Sequence, residues 1–184
     1  MFDIGVPYGF IRDDLYNIKY LFLTHRHTDH INKKTIQRVV KEFPRITIIG
    51  NYDVADIVKC HHFVGDETEI ELKDRKVIAF KAVHDVPCSG YVVQKDDKNL
   101  IYTTDTATME HAPKLKYDYF FIESNHDAKK IEAIRNSAKK DYGYDVWQGA
   151  MRHLSTQDSR TFYFLNRKSK DSEWIELHKS ERFY

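Results

Sequence analysis

The sequence predicts an α/β fold in which short buried strands alternate with helices and the reactive side chains collect just beyond strand ends. Three observations carry this. Leu21, Phe22 and Leu23 form an apolar run that switches abruptly to a polar cluster holding His25, His27, Asp29 and His30, as expected of a strand covered on both faces. Ile36, Val39, Val40 and Phe43 recur at helical spacing before Pro44, which ends a helix. Further apolar runs downstream also finish at a histidine or an acid.

Residues 21–30, LFLTHRHTDH, organise the rest. His25 and His27 alternate in an extended segment, so their imidazoles can converge on one metal, while Asp29 and His30 turn the corner and can face a second. Imidazole with carboxylate suits zinc, manganese or iron. The plain alternative is a histidine-rich surface loop, but four ligand types at fixed spacing after a strand is a more demanding pattern than such a loop needs.

The 184 residues are 41% hydrophobic and 14% aromatic, enough for one core, so a single domain over residues 1–184 is expected. A net charge of +1 from 29 basic and 28 acidic residues gives no global field toward nucleic acid or an anionic membrane. Any basic groove must be local. Cys60 and Cys88 are too few for a disulfide framework, and neither a signal peptide nor a long apolar run is present, so a cytoplasmic protein off the membrane is expected. No repeat or linker divides the chain.

Residues 1–5, MFDIG, read as a strand end running into a turn, and a helix follows over 32–43. Residues 45–49 form a buried strand, and Asn51 caps a helix over 51–60 carrying Val54, Ile57 and Val58. Cys60, His61 and His62 lack partners at ligand spacing and read as a solvated helix end. Strands over 69–72 and 77–83 flank the turn KDRK, and the second ends at His84, a candidate donor or, more plainly, a structural histidine. Pro87 and Gly90 turn the chain into a strand over 90–93, with Cys88 a packing residue.

A strand over 100–103 delivers Asp105, a carboxylate able to bridge two cations or, more plainly, to cap a turn. The strand over 119–122 runs into ESNHD, residues 123–127. A helix over 128–140 turns Ile131, Ile134 and Ala138 inward and Lys129, Lys130, Lys139 and Lys140 outward, a solvated face or a track for a polyanion. The aromatic stretch 142–147 reads as packing. Ser155 and Asp158 mark the start of a helix over 155–164, so His153 precedes a helix N-terminus whose amides can bind a phosphate oxygen. A last strand over 174–177 ends at His178.

Residues 25–30 match the H-x-H-x-D-H signature of metallo-β-lactamase-fold hydrolases at all four specified positions, and MFDIG resembles the L-x-D-x-G segment that precedes it there. ESNHD, HDVPCSGY and the HLS of residues 153–155 resemble the YycJ/WalJ-type branch, whose members are exonucleases. The resemblance implies an αββα sandwich, two mixed sheets flanked by helices, here without the usual N-terminal hairpin. An edge left uncovered in that way would favour a homodimer. Two divalent ions, Zn or Mn, are implied: His25, His27 and His84 for one, Asp29, His30 and His178 for the other, and Asp105 shared. His178 follows a strand as His25 and His84 do, whereas His153 precedes a helix, so His178 is assigned to the metal and His153 to acid catalysis. The reverse assignment stays open, because Lys179 breaks the more usual HLS or HFS pattern.

On this reading the chain is a dinuclear metal-dependent phosphodiesterase or nuclease, with a hydroxide bridging the ions, Asp29 and His153 as catalytic residues, and Asn125, His126 and Ser155 as contacts to the substrate phosphate. Glu123 and Asp127 would orient histidines. The substrate is a nucleic acid or nucleotide phosphodiester. The alternatives are hydrolysis of a carboxylic ester, thioester or lactam, which the metal motif alone permits, and a nonenzymatic metal-containing binding module.

Overall fold

The computed structural model describes residues 1–135 and 145–184. The backbone forms two compact units, one of residues 1–66 with 86–89 and one of residues 67–85 with 90–184. The predicted α/β class holds: there are two sheets, with flanking helices.

The first unit is built on a three-stranded parallel sheet of β1 (Tyr20–Leu23), β2 (Thr47–Gly50) and β3 (His62–Phe63), in that order. Between β1 and β2 runs α1 (Lys33–Glu42), whose Asn32 side chain accepts from the Thr35 amide, a cap worth about 1 kcal/mol. Ile36 and Val39 of α1 pack with Leu21, Leu23, Ile46 and Ile48 in the core. After β2, Asn51 caps α2 (Tyr52–Ala55) as expected, but the helix lasts one turn rather than reaching residue 60. The reason is sheet pairing: the Ile48 amide donates to His61 Nδ1 and the His61 amide to the Ile48 carbonyl. Residues 60–62, read from sequence as a solvated helix end, thus belong to the sheet margin, with Cys60 buried. Residues 1–5 bridge to Phe22 and Ile31, beside 3-10 turns at Tyr8–Phe10 and Asp14–Asn17 that carry no periodic signal.

The second unit holds a six-stranded sheet in the order β4 (Glu69–Leu72), β5 (Arg75–Ala82), β6 (Cys88–Lys95), β7 (Lys98–Thr103), β8 (Tyr119–Glu123) and β9 (Glu173–Leu177). The pairs β4–β5 and β6–β7 are antiparallel, and β7–β8 and β8–β9 are parallel. A Cβ on Gly90 would come within 2.2 Å of the Phe80 ring, so only glycine lets that ring lie against β6. Among the described residues the helices of this unit are α3 (Ala128–Ile134), α4 (Val146–Ala150) and α5 (Thr156–Asn166). Phe162 and Tyr163 of α5 pack on Tyr117, Phe120 and Ile122. The helix expected over 128–140 runs to Ile134, and residues 136–144, with Lys139, Lys140 and the start of the aromatic stretch, lie outside the described residues. Among the described residues no helix is long and apolar enough to cross a membrane.

Candidate functional site

In the first unit, four predicted ligands gather beyond the end of β1, and a carboxylate at the chain start sets their geometry. Asp3 accepts from the Thr24 amide and hydroxyl at 2.8 Å each and lies 2.9 Å from His30 Nδ1. A carboxylate only accepts, so His30 carries its proton on Nδ1 and keeps the Nε2 lone pair, 3.6 Å from Asp29 Oδ2. With its hydroxyl given to Asp3, Thr24 Oγ1 accepts from His25 Nδ1 at 3.0 Å, which leaves His25 Nε2 unprotonated. That nitrogen sits 3.1 Å from His27 Nδ1. Tetrahedral zinc with bonds of about 2.0–2.1 Å would hold neighbouring nitrogens about 3.3 Å apart, so this pair is spaced to share a cation. Cys88 Sγ is 3.7 Å from His25 Nδ1, beside the ring nitrogen that faces away from His27.

Two backbone features hold this loop. A Cβ on Gly5 would lie 1.6 Å from the Asp29 carbonyl oxygen, so glycine alone allows the chain start to pass under the cluster. Asn51 donates to the Thr24 and Pro87 carbonyls while its own oxygen caps α2.

In the second unit, the parallel register Thr103–Ile122–Glu176 brings the ends of β7, β8 and β9 level. Asp105 lies just past β7, Glu123 ends β8, and His178 follows β9 directly. His178 Nδ1 is 3.0 Å from Asp105 Oδ1, and His84 Nε2 is 3.6 Å from Asp105 Oδ2. Glu123 is fully buried. Its Oε1 takes His153 Nδ1 at 2.7 Å and His178 Nδ1 at 2.8 Å, and its Oε2 accepts from the Thr106 and Leu154 amides at 2.7 and 3.2 Å. Both rings therefore leave Nε2 as the working nitrogen, the arrangement in which a buried carboxylate orients ligating or proton-carrying histidines. Burial pushes the Glu123 carboxyl up, but the hydrogen bonds from His153, His178 and the Thr106 amide outweigh it and hold the group ionised, below the ordinary carboxylate range. Ligand atoms of Asp105, Glu123, His153 and His178 all lie within 4.8 Å of one another.

Asp3, Asp105 and His178 share a left-handed backbone, with φ of 50°, 50° and 53°. Non-glycine residues adopt it rarely, at a cost of about 1–3 kcal/mol each, and keep it where surrounding contacts over-determine it. Here it turns the side chain at the end of each segment into its cluster.

Each sequence-predicted residue can now be placed. His25, His27, Asp29 and His30 come together in the first unit, and His84, Asp105, His153 and His178 in the second. Asn125 donates to the His178 carbonyl at 2.8 Å. His126 is 2% exposed, and its Nδ1 has no hydrogen-bonding partner among the described residues. Burial holds its pKa below the ordinary histidine range, so the ring is neutral at pH 7. Ser155 accepts from the Asp158 amide as the cap of α5. Of the two acids expected to orient histidines, Glu123 does so, while Asp127 caps α3 instead. Lys168 donates to the Asp97 carbonyl and lies 3.4 Å from Asp118. Asp3 was absent from the predicted site residues; the signal for it was its place in MFDIG, ahead of the histidine cluster. The nitrogen and oxygen donors in both clusters fit a divalent cation.

The family model of the Beta-lactamase superfamily domain matches residues 4–122, well over half of the chain. Among solved structures, the metallo-beta-lactamase fold protein YhfI from Bacillus subtilis superposes with a TM-score of 0.68 at 15% identity, over 100% of this chain and 74% of that one. The short form of human tRNase Z gives 0.63 at 18% identity, over 98% and 81%. A diphosphatase of the PhnP family gives 0.60 at 18% identity, over 97% and 68%. Identities this low establish the shared fold. Comparison with curated protein sequences returned no match.

Proposed function

The chain belongs to the β-lactamase superfamily, and from that premise we propose that it is a metal-dependent hydrolase of phosphodiesters. The residues that would hold the cations are those the family resemblance implies: His25, His27, Asp29, His30, His84, Asp105 and His178. Bound divalent cations would supply water activated at neutral pH and positive charge for the attacking and leaving oxygens.

The observation that carries the reading is the buried Glu123 gripping both His153 and His178 through Nδ1. One carboxylate thereby prepares a ligand and a proton donor side by side, their rings 5.0 Å apart. His178 is taken as the ligand because it follows β9 directly, and its ring lies beside Asp105, with Nδ1 3.0 Å from Oδ1. His153 is left as the acid. Doubly protonated, it gives Nδ1–H to Glu123 and has Nε2–H to pass to a departing oxygen, a contribution of about 100- to 10,000-fold. Asp29, whose side chain is 65% exposed beside His30 Nε2, would ligate a cation and orient the attacking water.

The names of two structural neighbours, a tRNase and a diphosphatase, point to phosphorus–oxygen bonds as well. Bis(p-nitrophenyl) phosphate, a thioester and a lactam should be assayed in parallel with manganese or zinc. Turnover of the phosphodiester supports the proposal, and turnover of only the other two refutes it.

A further inference from the structure

A cavity of about 400 Å³ opens beside His153 and His178 within the second unit. Its position and lining ask what part of a substrate it would hold, a question that rests on the phosphodiesterase reading above.

The walls are of two kinds. One is apolar: Ile131 of α3, Val146 and Ala150 of α4, and Phe183, which also pack together as a small core. The other is polar, with Asn125, His126 and Ser180. The Ser180 amide donates to the Asn125 carbonyl, which pins the segment after β9 to the segment after β8 and fixes that side. Arg152, Lys179 and Arg182 add cationic groups to the lining, against one acid, Glu181.

His126 is the informative group. It is 2% exposed, lines the cavity, and its Nδ1 has no partner among the described residues. An apolar wall together with the imidazole of His126 and the amide of Asn125 in the same lining suits a flat heteroaromatic ring, and the volume lies within the range of small-molecule sites. A simple phosphate would use the cations and leave the apolar wall in water.

We propose that this cavity is a nucleobase subsite, seating the ring between Val146, Ala150 and Phe183 on one side and His126 with Asn125 on the other, while the attached phosphoryl group lies at His153 and His178. The preferred substrate class is then a nucleotide phosphodiester rather than a simple organophosphate.

Gly149 provides the probe. It lines the cavity, and a Cβ there would meet nothing within 4 Å among the described residues. Gly149→Leu therefore fills the cavity without a built-in clash, in a helix that leucine favours over glycine. Calorimetric titration of the manganese-supplemented protein with adenosine 5′-monophosphate and with ribose 5-phosphate isolates the base. The expected result is about 10- to 100-fold tighter binding of the former, the range of base stacking on a protein surface. The ratio should fall toward one in Gly149→Leu, and should drop in His126→Phe, which keeps a ring but removes its nitrogens. Circular dichroism of each variant confirms the fold. Equal affinities in the native chain, no binding of either compound, or a ratio that survives Gly149→Leu in a folded variant overturns the subsite. Turnover of methyl p-nitrophenyl phosphate, which carries no base, tests the reaction separately: turnover with equal affinities sinks only the subsite, and absent turnover sinks the phosphodiesterase reading.

Discussion

Replacing Glu123 by glutamine keeps the side-chain volume and breaks the logic of the second cluster. The native carboxylate serves four donors, two imidazoles at Oε1 and two backbone amides at Oε2. Glutamine has one carbonyl oxygen and one NH2, so in either orientation a pair of donors faces a donor. The amide hydrogens of Thr106 and Leu154 cannot move, so the oxygen stays with them and the histidines must change tautomer. Both rings then carry hydrogen on Nε2, the nitrogen assigned to the cation and the leaving group. Two charge-assisted hydrogen bonds of about 1.5–3 kcal/mol each are lost. New bonds from the glutamine NH2 to the imidazoles restore part, leaving a deficit of roughly 2–4 kcal/mol. With a urea slope of about 1–3 kcal/mol/M, the unfolding midpoint of metal-free protein should fall by roughly 1–2 M. Zinc affinity, measured by competition with a chromophoric chelator, should fall about 10- to 100-fold. A variant whose midpoint stays within about 0.3 M of the native value, with unchanged zinc affinity, would refute the claim that Glu123 sets the tautomers.

Other perturbations reach different parts of the structure. Gly5→Ala should displace the loop bearing Asp29, since a Cβ 1.6 Å from the Asp29 oxygen cannot be accommodated in place; a loss of more than about 3 kcal/mol is expected in urea unfolding, and a native-like midpoint would show that the loop yields freely. Asp118 immediately precedes β8 and accepts from Lys98, the Asn99 amide and Lys168; burial pushes its carboxyl up, but these partners outweigh it and hold it below the ordinary range. Its contribution to stability is thus present above the unfolded value of about 3.9 and is lost as pH falls through the lower folded value. Asp118→Asn should flatten the acid limb of the stability–pH curve, and an unchanged limb would argue against it. Cys60 is buried, and burial pushes its thiol up to about 11. At pH 8 the native protein should react with a thiol reagent there far more slowly than the unfolded chain, and equal rates would contradict its burial.

Much of this site was legible because strand ends are legible. The run Leu21–Phe22–Leu23 announces β1, and the spacing of His25, His27, Asp29 and His30 announces donors in a turn. His84, Asp105 and His178 could each be found as the first reactive residue past an apolar run. Sequence does not encode which partner a carboxylate will choose. Glu123 and Asp127 are equally acidic on paper, yet one is buried between two imidazoles and the other caps a helix. Asp3 is 21 residues ahead of Thr24 and 27 ahead of His30, which it orders, and the bridges of residues 2 and 4 to Phe22 and Ile31 bring it there. The short strand β3 escaped because Cys60, His61 and His62 have no strand pattern; their place comes from pairing with Ile48. Left-handed turns at Asp105 and His178 were likewise hidden, since no glycine marks them.

The central claim is that histidine and carboxylate clusters at the strand ends hold a pair of catalytic cations. Metal analysis of protein purified without added metal, alongside Asp105→Ala, tests it most directly. The account predicts about two zinc or manganese ions per native chain and loss of both metal and bis(p-nitrophenyl) phosphate turnover in Asp105→Ala. A native chain that takes up no divalent metal even when zinc or manganese is supplied, or an Asp105→Ala variant that retains full metal content and turnover, would contradict it.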